Sequence, residues 1–276
     1  MNKINYLEPI DIDERNKDYL GTFSISDSHL PLIFPKYKDA ELLGEFWELK
    51  RRGSEDPNYF GMMNYKGANI LIGILRALQP NSIFEIGTAY GLMTKYMAQA
   101  APNAEIHTLD IGTQDYDSAK YIVDGWNKDY RSKDNSDVGR AYRDAGLEKR
   151  IIQHIGDSGT FDFSPYYGKI DFVLVDADHG YYGAKHDLEE AFEMVNQGGL
   201  VVVDDYGKLH HNEGIVLAVL EAVKDGRDFY FVNHNDGPKT ELVFHPNIPK
   251  AIHKPHFNNR TNYRECLIET ADVEHF

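Results

Sequence analysis

Two hydrophobic rhythms alternate along this chain. Over Asp39–Arg52, Leu42, Leu43, Phe46, Trp47 and Leu49 form an apolar stripe at helical spacing. Ile70, Leu71, Ile74, Leu75 and Leu78 repeat that spacing over Gly67–Leu78, with Pro80 just past the end. Beyond Pro80, short apolar runs take over. Ser82–Ile86, Glu105–Leu109, Ile151–Ile155, Asp171–Val175 and Leu200–Val203 read as strands. Helices are predicted over Leu92–Ala100 and Tyr182–Asn196, the second ended by Gly198-Gly199. Ile215, Val216, Ala218, Val219 and Val223 fit one more helix, packed on the sheet. Phe229–Val232 and Glu241–Phe244, joined by Asn235-Asp236-Gly237-Pro238, read as a hairpin. Pro9, Pro31 and Pro35 break up an N-terminal stretch with little periodicity, which is read as irregular.

Apolar strands separated by helices imply a sheet covered on both faces. The expected fold is therefore α/β: a doubly wound, mostly parallel sheet of seven strands, closed by an antiparallel strand of the C-terminal hairpin. A helical N-terminal extension, residues 1–65, belongs to the same unit. The main domain spans 66–246, and 247–276 form a tail. In such sheets ligands bind at the carboxyl ends of the strands, where strand order reverses. The chemistry is therefore sought in the residues just after each strand.

Charge narrows the partners. Lys plus Arg total 29 against 44 Asp plus Glu, a net charge of −15, which opposes binding to a phosphate backbone and disfavours a nucleic-acid substrate. One cysteine, Cys266, excludes an internal disulfide and fits a reducing, cytoplasmic setting. Met1–Tyr19 is polar and lacks the apolar core of a signal peptide, and no apolar run is long enough for a bilayer, so no membrane partner is expected.

After the first predicted strand comes Glu85-Ile86-Gly87-Thr88-Ala89-Tyr90-Gly91. Its glycines permit a tight turn and close approach to a ligand, and the following helix presents its N-terminus there. The spacing lacks the third glycine of a dinucleotide-binding loop, which argues against a dehydrogenase. The second strand is followed by Asp110, an acid placed to accept hydrogen bonds from ribose hydroxyls. The strands ending at Val175 and Val203 are followed by Asp176-Ala177-Asp178-His179 and Asp204-Asp205-Tyr206. Carboxylates crowded at adjacent strand ends repel unless a cation is present, and hard oxygen ligands suit Mg²⁺ or Mn²⁺. The bland alternative is a set of loop-capping acids.

Glu85 through Gly91 followed by Asp110 resembles the nucleoside-binding signature of class I, Rossmann-like, S-adenosylmethionine-dependent methyltransferases, over about Gly67–Pro246. The resemblance implies that Glu85, Gly87, Thr88, Tyr90 and Gly91 bind the cofactor, with Asp110 on its ribose and Asp157 and Ser158, after Gly156, edging the adenine. The Asp-Ala-Asp-His-Gly-Tyr-Tyr and Asp-Asp-Tyr segments are similar to the metal-dependent macrocin-type O-methyltransferases and, more distantly, to the catechol and caffeoyl-coenzyme A enzymes. That similarity implies Asp176, Asp204 and Asp205 as metal ligands and Asp178 or His179 as the base, with Asp178 favoured. The catechol-type enzymes carry a lysine where His179 stands.

The expected activity is methylation of a hydroxyl on a small molecule such as a sugar, phenol or natural-product intermediate. The alternative is a metal-independent N-, C- or carboxyl-methyltransferase. Tyr181 and Tyr182 are placed to line the acceptor pocket, and the long polar stretch from Gln114 to Arg143 reads as a cofactor-side lid or a decorated helix. The stripe around Trp47 fits a homodimer contact.

Overall fold

The computed structural model describes residues 22–26, 30, 34, 36–38, 40, 42, 63, 65–113, 119–121, 135–206, 213–227, 229–233 and 243–246. Its elements run β1 (Thr22–Ser26), α1 (Tyr65–Leu78), β2 (Ser82–Ile86), α2 (Leu92–Ala100), β3 (Glu105–Asp110), α3 (Arg140–Asp144), β4 (Ile151–Ile155), β5 (Ile170–Val175), α4 (Tyr181–Met194), β6 (Val195–Val203), α5 (Glu213–Lys224), β7 (Phe229–Asn233) and β8 (Val243–Pro246). The strands form one sheet in the order β1-β7-β8-β6-β5-β2-β3-β4. β2 pairs in parallel with both β3 and β5, β3 with β4, and β5 with β6. β8 is antiparallel to both β6 and β7.

Alternation along the central strands decides which face each side chain covers. Phe172 and Leu174 of β5 and Leu200 and Val202 of β6 join Ile70, Leu71, Ile74, Leu75, Tyr96 and Met97 of α1 and α2 in one core. Val173, Val175, Val201 and Val203 join Ala184, Leu188, Ala191, Ile215 and Val219 of α4 and α5 in the other. Ile70, Leu71, Ile74 and Leu75 are at most 1% exposed, so each contributes about 1.5–3 kcal/mol of burial.

Several expectations shift. Among the described residues the sheet has eight strands rather than the seven expected, because Thr22–Ser26, within the stretch read as irregular, pairs in parallel with β7. Its Phe23 and Ile25 alternate with Thr22, Ser24 and Ser26, a short period-two pattern hidden among prolines. The helix expected to end at Gly198-Gly199 stops at Met194. Val195 already pairs with Ile170, and the register shift before Phe172 takes up the extra residues, Gly198 adopting φ +89°. The N-terminal region packs on α1: a Cβ at Gly73 would stand 2.6 Å from the Tyr37 ring, and Asn69 accepts the Leu42 N–H at 2.8 Å. The predicted helix over Asp39–Arg52, its stripe near Trp47 and the tail 247–276 lie outside the described residues. Among the described residues no helix is long and apolar enough to cross a membrane.

The chain runs β2 to β3 to β4 in one direction, then returns to place β5 on the other side of β2. Strand order therefore reverses between β2 and β5, and their carboxyl ends border the ligand crevice of such a sheet.

Candidate active site

Parallel pairing continues one residue past the strands. Asp176 N–H donates to Ile86 O at 2.9 Å, Gly87 N–H to Leu109 O at 2.8 Å, Gly156 N–H to Asp110 O at 2.8 Å and Asp204 N–H to Val175 O at 3.1 Å. The segments singled out in the sequence therefore stand in one row, each held by its neighbour's backbone.

In the turn after β2, Gly87 has φ +105°, which favours glycine, and a Cβ there would lie 1.9 Å from the Asp176 carbonyl oxygen. The sequence argument gave this open side to a ligand. The structure gives it to the next strand end, which fixes Asp176 directly beside the turn. Gly91 likewise faces Gly139, whose Cα a Cβ would meet at 2.6 Å, and Gly139 N–H donates to Ala89 O at 2.9 Å.

The remaining predicted cofactor residues separate into two groups. Glu85 is 1% exposed and lies beneath the turn, where its Oε2 accepts hydrogen bonds from Thr94 and Thr108, each at 2.5 Å. Burial pushes its carboxyl up to about 8, against the lowering effect of those hydroxyls. The buried Thr88 hydroxyl is 2.6 Å from that of Thr108 and accepts from Gln153 at 2.9 Å, while Tyr90 is buried with the Arg140 guanidinium 5.6 Å above its ring. These three brace the turn. Asp110 stands at its mouth: Oδ2 accepts the Ala89 N–H at 2.7 Å and Oδ1 the Gly112 N–H at 2.9 Å. Burial raises the Asp110 carboxyl and those backbone donors oppose it. With the Thr88 N–H as a third backbone donor, the carboxylate keeps acceptor capacity for one further hydroxyl.

At the end of β4, Asp157 accepts the Lys120 N–H at 2.9 Å and the Gly159 N–H at 2.9 Å. Tyr121 covers Gly159, where a Cβ would meet the ring at 2.8 Å, and Lys120 Nζ donates to Gly159 O at 3.2 Å. Lys120 and Tyr121 of the 114–143 stretch thus lie on the segment expected to edge an adenine, while Asn135 and Gly139 of the same stretch lie against Gly112 and Gly91. Ser158 faces Asp187, a residue the sequence reading passed over: it is fully buried on α4, with Oδ1 3.6 Å from His186 Nδ1, and burial raises its carboxyl. One acid among the four of this helix gives no signal of such burial.

Asp176, Asp204 and Asp205 converge at the ends of β5 and β6, and one oxygen from each lies within 4.8 Å of the others. Asp204 is 2% exposed, and Asp205 takes φ +61°, a backbone state uncommon outside glycine. Three anions at that spacing repel unless a cation neutralises them, and an all-carboxylate set matches Mg²⁺ or Mn²⁺. The donors present therefore fit the metal expected. His179 Nε2 sits 3.1 Å from Asp205 Oδ2. Asp178 turns the other way: Oδ1 accepts the Gly180 N–H at 3.1 Å, and Oδ2 lies where a Cβ on Gly183 would meet it at 1.9 Å. Tyr181 donates to Glu221 on α5, and Tyr182 is exposed.

The doubly wound sheet carries a glycine turn after β2, an acid at the end of β3 and acids after β5 and β6, the arrangement that the resemblance to class I methyltransferases implied. Residues 84–206 match the family model described as a methyltransferase domain. Among solved structures it is similar to the O-methyltransferase from Bacillus cereus in complex with SAH, at 14% identity over 74% of this chain and 90% of that one, TM-score 0.51. A candidate caffeoyl-CoA O-methyltransferase from Staphylococcus aureus matches at 15% identity over 80% and 95%, TM-score 0.52. Cofactor-bound Rv0187 from MTB matches at 17% over 75% and 90%, TM-score 0.50.

Proposed function

We propose that this protein transfers the methyl group of S-adenosylmethionine to a hydroxyl of a small molecule, with Mg²⁺ or Mn²⁺ held by Asp176, Asp204 and Asp205. The observation that carries the reading is the convergence of those carboxylates within 4.8 Å at the strand ends beside the Gly87 turn. When bound there, a divalent cation lowers the pKa of a coordinated hydroxyl and fixes its direction.

The chain's own residues supply position. In-line transfer needs the reacting atoms about 3 Å apart, and misplacement by 1 Å can cost on the order of 100-fold. Asp110 and the Gly87–Gly91 turn hold the donor, as supported by the fold shared with the SAH complex of the Bacillus cereus protein. The Asp176 N–H bond to Ile86 O, 2.9 Å, ties the acceptor side to the same turn. His179, rather than Asp178, takes the acceptor's proton. With Nε2–H directed to Asp205, its Nδ1 is the acceptor nitrogen, while the Asp178 carboxylate is committed to the start of α4. The net charge of −15 favours a small acceptor over a nucleic acid.

The test is methyl transfer from labelled S-adenosylmethionine to a panel of phenols, catechols and hydroxylated sugars, with Mg²⁺ and with EDTA. Activity lost with EDTA and restored by Mg²⁺ is expected, as is a larger fall in kcat for His179→Gln than for Asp178→Asn. Transfer indifferent to EDTA, or only to nitrogen or carboxylate acceptors, would overturn the reading.

A further inference from the structure

Gly214 plays no part in the chemistry above. It is the second residue of α5, where its φ lies outside the positive region, so conformational freedom does not explain it. Alanine is the better helix former by about 0.5–1 kcal/mol in a helix interior. Space explains the glycine instead. A Cβ at 214 would stand 2.3 Å from His179 O, 2.3 Å from Tyr181 N and 2.6 Å from Gly180 C. All three are backbone atoms, and none can swing aside as a side chain would.

The first turn of α5 therefore rests on the backbone of the loop that carries His179. From the α4 side, Gly183 leaves room for the Asp178 carboxylate against that same loop. The His179 imidazole reaches Asp205 at 3.1 Å, and Gly214 opens α5, the next described element after Asp205 and Tyr206 in the chain. The two strand ends of the site are thus joined twice, once through the imidazole and once through this bare helix contact.

We propose that Gly214 is a positioning residue: its missing side chain lets α5 seat the His179–Tyr181 backbone so that the imidazole meets Asp205. The inference rests on the reading of His179 as the group facing the acceptor hydroxyl. A methyl group at 214 has to push the loop away from α5, shifting the imidazole, while the donor turn, at the end of the neighbouring strand β2 and not touched by Gly214, stays in place.

The test uses the full chain with ¹³C-labelled histidine, the His179 cross-peak being identified by its loss in His179→Gln. In Gly214→Ala that cross-peak moves while those of His107 and His154 stay, and S-adenosylmethionine affinity by calorimetry remains within about twofold. With an acceptor from the panel above, kcat falls about tenfold or more, in line with the sensitivity of transfer to position. Gly214→Ala then adds nothing in the His179→Gln background. An unmoved His179 cross-peak, equal movement of all three histidines, or additive losses overturns the inference. An absent nuclear Overhauser contact between Gly214 Hα and the Tyr181 amide in the unmodified protein does so without any variant. Should His179→Gln transfer at full rate, the base assignment fails, and the cross-peak and Overhauser measurements still decide the contact.

Discussion

At the residue scale, Glu85 is the clearest case of a side chain whose surroundings reverse its expected part. An acid beside a glycine turn suggests ligand contact, but Glu85 is buried under Thr94 and Thr108 and its carboxyl is pushed up to about 8. The unfolded chain releases that proton near 4.5. Between these values the folded state binds a proton the unfolded state has lost, so stability falls as pH rises from about 4.5 to 8 and the penalty is complete above. Burial raises Asp110 and Asp187 in the same sense. Denaturant midpoints measured from pH 5 to pH 9 are expected to fall less steeply for Glu85→Gln than for the unmodified protein. Equal slopes would place the proton elsewhere.

At the element scale, the helices are fixed by how their ends are satisfied. The carbonyls at and just past the end of α2 are gathered by one guanidinium: Arg150 donates to Ala98 O at 2.8 Å, Ala101 O at 3.3 Å and Ala104 O at 3.2 Å. Charge at a helix C-terminus also complements the helix dipole. Arg150→Ala is expected to cost about 1–2 kcal/mol and a few degrees in Tm. Because Arg150 precedes β4 and does not reach the donor turn, S-adenosylmethionine affinity should hold; a parallel loss of affinity would show that α2 transmits strain to the site. Apolar spacing alone was enough to read β2, α2 and β4 within the boundaries observed. It overran α4, since Val195 obeys its pairing with Ile170 rather than the helical stripe before it, and it missed β1, whose partner β7 lies some two hundred residues away in the chain.

For the whole molecule, the large negative charge and the convergent aspartates act together. With a net charge of −15, general salt screening stabilises the fold irrespective of any specific site, whereas a cation bound only by the folded state adds stability in proportion to its saturation. Millimolar Mg²⁺ or Mn²⁺ is therefore expected to raise Tm beyond the effect of NaCl at equal ionic strength, and Asp204→Asn is expected to erase that excess. A rise that survives in the variant would assign it to the diffuse charge.

The order of apolar runs determined the α/β class, the approximate place of the central strands and the segments in which chemistry would lie, because strand and helix periodicities are local properties of the chain. The sequence also named Asp176, Asp204 and Asp205 as a set. Tertiary structure decided what locality cannot reach: that these three meet within 4.8 Å, that Glu85 and Thr88 turn inward, that Asp178 serves the start of α4 while His179 turns to Asp205, and that Gly87 and Gly214 are bare because backbone from distant elements fills their open sides. Each depends on which neighbour occupies the adjoining space, and close packing settles that only when the whole sheet and its helices are assembled.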